Sequence, residues 1–96
     1  MLPLRWTEHA VTQLEGIVDH SSATSPVYAE GVVLRIDRQL QAARRQPGLG
    51  KPVPEKDDPT IRELVSPPYR VFYRPRSDCI EELAIVHGRQ LLDEDS

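Results

Sequence analysis

Three short runs of β-branched and aromatic residues constrain this chain more than anything else in it. They are Ile61-Arg62-Glu63-Leu64-Val65, Tyr69-Arg70-Val71-Phe72-Tyr73-Arg74, and the segment from Ile80 through Val86 to His87-Gly88-Arg89. Ser66-Pro67-Pro68 separates the first two, and the polar stretch Pro75 to Asp78 separates the last two. Such runs between turn residues predict an antiparallel meander. Successive side chains of a strand face opposite sides of its sheet. One face is therefore expected to pack a core while the other displays Arg62, Arg70, Tyr73, His87 and Arg89. Ile80 to Val86 is the most apolar run and is expected to be the central strand.

What precedes the meander reads as its scaffold. Leu2-Pro3-Leu4-Arg5-Trp6 is too short for a helix and suits an edge strand, where a proline is tolerated. Thr7 resembles an N-cap, with Glu8 in the first turn against the helix dipole. Ala10, Val11, Leu14, Ile17 and Val18 share one helical stripe, and the helix is expected to end between Asp19 and Ser22. Ser25-Pro26 then opens a second helix, a capping serine followed by proline at the first helical position. Its core stripe reads Ala29, Val33, Ile36, Leu40 and Ala43, and Gln46-Pro47-Gly48 stops it. From Gln46 to Thr60 the chain has no hydrophobic period and predicts a long loop, with Leu49 and Val53 pinning it to the core. The order β-α-α-β-β-β predicts an α+β fold: a small antiparallel sheet packed against an N-terminal helical hairpin.

The chain has 96 residues, which predicts one domain spanning residues 1–96. Its formal net charge is -3 and its sequence pI about 5.5, which argues against a nucleic-acid binder. The charge is uneven. Residues 35 to 76 carry ten basic and five acidic side chains, a basic island between acidic ends. Cys79 is the one cysteine, so neither a disulfide framework nor a multi-cysteine metal site is expected, and no cofactor is implied. No apolar run approaches membrane-spanning length, and the N-terminus lacks a signal-peptide core. The expected location is the cytoplasm, away from membranes.

The sequence resembles the RelE/ParE superfamily of type II toxin–antitoxin systems. The resemblance rests on Trp6-Thr7-Glu8 opening the first helix, Pro47-Gly48-Leu49-Gly50 after the second, Ile61-Arg62-Glu63-Leu64, Tyr69-Arg70-Val71-Phe72-Tyr73, and the closing His87-Gly88-Arg89. It covers nearly the whole chain and implies the same helical hairpin and sheet. It also implies two possible activities, both neutralised by a cognate antitoxin through which DNA would be met only indirectly. RelE-like members cleave mRNA on the ribosome, and ParE-like members poison DNA gyrase.

Ribosome-dependent cleavage needs cations at the phosphate and a group of suitable pKa for proton transfer. The resemblance places Arg70, His87 and Arg89 in those roles if the chain is RelE-like. Against this, Glu63 sits where RelE-like enzymes tend to carry lysines, and the tail Leu91-Leu92-Asp93-Glu94-Asp95-Ser96 is acidic where RNA would have to bind. The His-Gly-Arg ending is frequent in ParE-like members. The favoured expectation is therefore a ParE-like gyrase inhibitor rather than an enzyme, with Arg62, Arg70, Tyr73 and Arg89 as binding residues. Each has a plain alternative. Arg62 and Arg70 can pair with acids such as Glu63 or Glu82 across strands, Tyr73 can line the core with a satisfied hydroxyl, and His87 can be structural.

Overall fold

The computed structural model describes residues 1–88; Arg89 and the acidic tail lie outside the described residues. The elements are β1 (Leu4–Trp6), α1 (Glu8–Thr24), α2 (Pro26–Arg45), β2 (Lys51–Pro52), β3 (Arg62–Ser66), β4 (Tyr69–Pro75) and β5 (Ile80–His87). Helical hairpin first and sheet second is the predicted α+β order, with one two-residue strand added inside the long loop. The sheet runs β1-β5-β4-β3-β2. β2 to β5 pair antiparallel, while β1 lies parallel to β5, so the sheet is mixed. β4, not β5, is the middle strand. The N-terminal strand adds to the outer side of β5 and the short β2 to the outer side of β3, which leaves β4 with two strands on each side.

The caps act as predicted. Thr7 Oγ1 accepts from Ala10 N at 3.1 Å and opens α1. α1 continues to Thr24, past its expected stop, because the polar Ser21 is buried rather than looped out. Ser25 then serves both helices at once. Its N–H donates to Ser21 O at 2.8 Å, closing α1, and its Oγ accepts from Tyr28 N at 3.2 Å, capping α2. A one-residue joint therefore turns the hairpin. On α2 the buried stripe is Ala29, Val32, Ile36, Leu40 and Ala43. Val32 replaces the expected Val33, because spacings of three, four, four and three keep the stripe on one azimuth at about 100° per residue. On α1 Val11 is exposed, while Ala10 is buried and Leu14 and Ile17 pack partly against the core.

The α2 stripe meets Leu64, Val71, Tyr73, Ile80 and Ile85 on what we call the helix face of the sheet. The opposite face is not open, as the strand pattern suggested. Val53, Ile61, Phe72, Ala84 and Val86 form a second buried cluster there, roofed by the segment between α2 and β3. Val53 pins that segment as expected, whereas Leu49 is exposed. Phe72 and Tyr73 point to opposite faces, yet both are fully buried, because each face has its own cover.

β1 pairs with β5 only as far as Glu82. Beyond that point side chains of α1 take over its edge. Thr7 Oγ1 donates to Leu83 O at 3.3 Å, and Ile85 N donates to Gln13 Oε1 at 2.7 Å. The register also slips at this level: Phe72 faces Ala84, but Tyr73 faces Glu82, leaving Leu83 as the extra residue of a β-bulge. The bulge resets the alternation and turns Glu82 to the helix face beside Tyr73. Glu82 is fully buried there. Its Oε1 accepts from Ala84 N at 3.2 Å, and among the described residues its Oε2 has no hydrogen-bond partner. Burial pushes the Glu82 carboxyl well above its ordinary range.

A stability dependence on pH follows from that burial. Below the ordinary value of 4.5 the carboxyl is protonated in both folded and unfolded chains. Above it the unfolded chain gives up the proton and the folded chain keeps it. The Glu82 contribution is therefore complete at low pH and declines as pH rises from 4.5 toward the folded-state pKa, by up to about 1.4 kcal/mol per pH unit. Glu82→Gln removes the ionisation. Denaturant unfolding across a pH series should show the variant gaining on the wild type as pH rises, with equal slopes counting against the assignment.

Candidate functional site

The sequence-predicted cluster divides between the two faces of the sheet. β3 and β4 place Glu63, Arg70 and Phe72 on the face roofed by the loop, since Glu63 pairs with Phe72 and Val65 with Arg70. Tyr69 and His87 pair directly and lie on the helix face. Alternation along β4 and β5 allows nothing else, because Arg70 and Tyr69 are neighbours, as are Val86 and His87.

Arg70 is held from two sides. Its Nη2 donates to Glu55 Oε1 at 2.9 Å, its Nη1 bonds Glu55 Oε2 at 2.5 Å, and its Nε donates to Glu63 Oε2 at 2.7 Å. The side chains of Arg70, Glu55 and Glu63 are about 85% covered. The guanidinium also lies 4.8 Å from the centre of the Phe72 ring. Hydrogen bonds to Glu55, and then to Glu63, raise the Arg70 pKa further above its already high ordinary value. A phosphate reaching this cation would have to displace two carboxylates. The sequence named Glu63 as a cross-strand partner for an arginine; it gave no sign of Glu55, which comes from the loop.

Arg62 and Tyr73 anchor the same loop further back. Arg62 Nη1 donates to Gly50 O at 2.6 Å. The Tyr73 hydroxyl accepts from Gly50 N and donates to Pro47 O, each at 2.8 Å. A Cβ at position 50 would stand 2.7 Å from Glu63 O and 2.8 Å from the Tyr73 hydroxyl, so only glycine fits. Tyr73 is fully buried, and its hydroxyl pKa is raised by that burial. It lines the core with a satisfied hydroxyl, the alternative the sequence left open, and presents nothing to a partner.

A further ionic set closes the loop's far end. Arg74 Nη2 donates to Asp58 Oδ2 at 3.0 Å, Arg74 Nη1 lies 3.5 Å from Glu81, and Arg76 Nε donates to Glu81 at 3.2 Å. Hydrogen bonds from Thr60 hold the Asp58 carboxyl below its ordinary value, with Arg74 assisting. Arg74 and Asp58 were not singled out from the sequence. The signal lay in the period of two that puts Arg70, Phe72 and Arg74 on one face, opposite the acids Glu55 and Asp58.

His87 is exposed and meets Tyr69 edge to face, with ring centres 6.1 Å apart at 79°. It borders a cleft of about 380 Å³ with His20, Ser21, Thr24, Tyr28 and Pro68. Arg70 and His87 therefore do not converge, and Arg89, the third member of the predicted set, lies outside the described residues. Among the described residues no group of three His, Cys, Asp or Glu is placed to hold a metal ion, and no helix is long and apolar enough to cross a membrane.

Comparison with known proteins decides the family. The family described as ParE toxin of the type II toxin–antitoxin system, parDE, matches residues 4–92. The chain belongs to the ParE toxin family. A solved structure, "Chromosomal ParDE TA system from P. aeruginosa", is similar at 27% identity and a TM-score of 0.74, over 91% of this chain and 96% of that one. No curated protein matches at a significant level. The ParE family match spans both helices and every strand, so the superfamily resemblance resolves to its ParE branch.

Within this ParE fold the arginines and tyrosine of the meander act as fasteners. Tyr73→Phe strands the buried Gly50 N–H and should cost about 1–3 kcal/mol. Arg70→Ala leaves Glu55 and Glu63 facing each other without their cation and should cost about 3 kcal/mol. Urea denaturation measures both, and wild-type midpoints for either variant would contradict the fastening role.

Proposed function

We propose that this protein is a cytoplasmic growth-inhibiting toxin that binds and poisons DNA gyrase and is neutralised by a cognate antitoxin. Membership of the ParE family carries this reading. The similar structure is described as a ParDE toxin–antitoxin system, which supports a protein antitoxin as partner here. The toxin meets DNA only through that antitoxin or through gyrase.

The site geometry supports binding over catalysis. Cleaving RNA at a ribose hydroxyl requires a cation at the phosphate and a proton-transfer group within reach of the same atoms. Arg70 is bound to Glu55 and Glu63, and His87 stands on the other side of the sheet. The net charge of -3 also opposes docking on a polyanion. A gyrase inhibitor needs neither arrangement; it needs a stable surface.

Purified toxin added in molar excess to gyrase should block supercoiling of relaxed plasmid and accumulate cleaved DNA in the presence of ATP. The same preparation added to a translating extract should leave no new 5′ ends on the message. Full supercoiling at saturating toxin would reject the gyrase reading, and cleavage of the message lost in Arg70→Ala would replace it with the nuclease.

A further inference from the structure

Gln13, Gly16 and His20 fall on one side of α1, at spacings of three and four. That side faces the end of β5 across a cleft. Gln13 and Gly16 border its first lobe, of about 370 Å³, over a floor of Ile17 and Ile85. Thr24 and Tyr28 border the second, of about 380 Å³, beside the joint of the helical hairpin. His20, Tyr69 and His87 belong to both, so the lobes are continuous. Each lobe alone has the volume of a small-molecule site.

Gly16 sets this cleft apart. It stands in the middle of α1, where glycine weakens a helix relative to alanine. Packing does not demand it, since a Cβ built there meets nothing within 4 Å. Gly50, by contrast, is forced by its neighbours. What the missing side chain of Gly16 does is leave the first lobe open. The walls are polar at both ends. Gln13 Oε1 is fixed by Ile85 N at 2.7 Å, and Gln13 Nε2 has no hydrogen-bond partner among the described residues. It is a donor at one end, with the hydroxyls of Thr24 and Tyr28 at the other. Between them Tyr69 and His87 meet at 79°, so a flat ring lying against one turns its edge to the other. Among the described residues no lysine, arginine, aspartate or glutamate borders either lobe.

We propose that the cleft between α1 and the end of β5 binds a neutral nitrogen heteroaromatic molecule, the class that includes nucleobases and nucleosides. Its ring lies among Tyr28, Tyr69 and His87 and over the aliphatic floor. Its ring nitrogen accepts from Gln13 Nε2, and its exocyclic groups meet the hydroxyls of Thr24 and Tyr28. A saturated hydrocarbon would cover the floor but leave the donors without acceptors. A phosphate or carboxylate would find no guanidinium or ammonium to pair with. Neither gyrase nor an antitoxin is needed for this binding.

Adenosine is the probe, titrated to millimolar concentration into the isotope-labelled full chain. Amide shifts should change and saturate at residues 13–24, 69 and 85–88. Gly16→Leu should weaken binding about tenfold or more while keeping or raising the urea midpoint of unfolding, because it fills the lobe and strengthens the helix. Tyr28→Ala should weaken binding about threefold or more. Val27→Ala, at a side chain 80% exposed, should leave it unchanged. AMP should bind no tighter than adenosine, and cyclohexylmethanol about tenfold more weakly. No shifts at millimolar adenosine, shifts centred elsewhere, undiminished binding by Gly16→Leu, or equal binding of cyclohexylmethanol would each overturn the proposal. Tighter binding of AMP would also overturn it, since the ligand would then be an anion. A lowered urea midpoint for Gly16→Leu would do the same, by making Gly16 a packing requirement.

Discussion

The fold depends on one buried hydroxyl. Tyr73 sits between Gly50 N–H and Pro47 C=O and fastens the start of the long loop to the middle strand of the sheet. From that point the loop has one route, across the second face of the sheet. The route carries Val53 onto Phe72 and brings Glu55 to Arg70. Without the loop the sheet would be covered on one side only, and Phe72, Ala84 and Val86 would face water. For a chain of this size, which buries only roughly two-thirds of its unfolded surface, losing the second cluster removes much of the margin for folding.

The same loop alters the meaning of the basic island. Ten basic residues between positions 35 and 76 suggest a contact surface when counted along the chain. In three dimensions most arginines of the meander are spent internally, on carboxylates delivered by the loop and by β5. Positive charge without an internal answer is left on α2. Linear charge counts miss this because neutralisation is a property of pairs, and Glu55 lies fifteen positions before Arg70.

Local chemistry was legible where it acts locally. Thr7 and Ser25-Pro26 announced both helix starts, and the apolar period gave α2 its face apart from the one-residue exchange of Val33 for Val32. The three runs of the meander became three strands. What escaped notice depends on chain segments meeting from far apart. The parallel seating of β1, which moves β4 to the centre, is one case. The two-residue β2 inside the loop and the bulge at Leu83 are others. The bulge matters most, since a regular strand would have turned Glu82 to the loop face. At the candidate site, alternation was enough to separate Arg70 from His87, because they belong to strand positions of opposite parity once the register is known. The register itself was not legible.

The way α1 finishes the edge of β5 reaches beyond packing. Small sheets with open edges recruit strands from other copies and grow into aggregates. Here one border is a three-residue strand continued by Thr7 and Gln13, and the other is a two-residue strand ending in Pro52, which has no N–H to offer. Among the described residues each border is thus a strand of two or three residues, short for templating a neighbour. The architecture of the described residues works against edge-to-edge pairing of one copy with another.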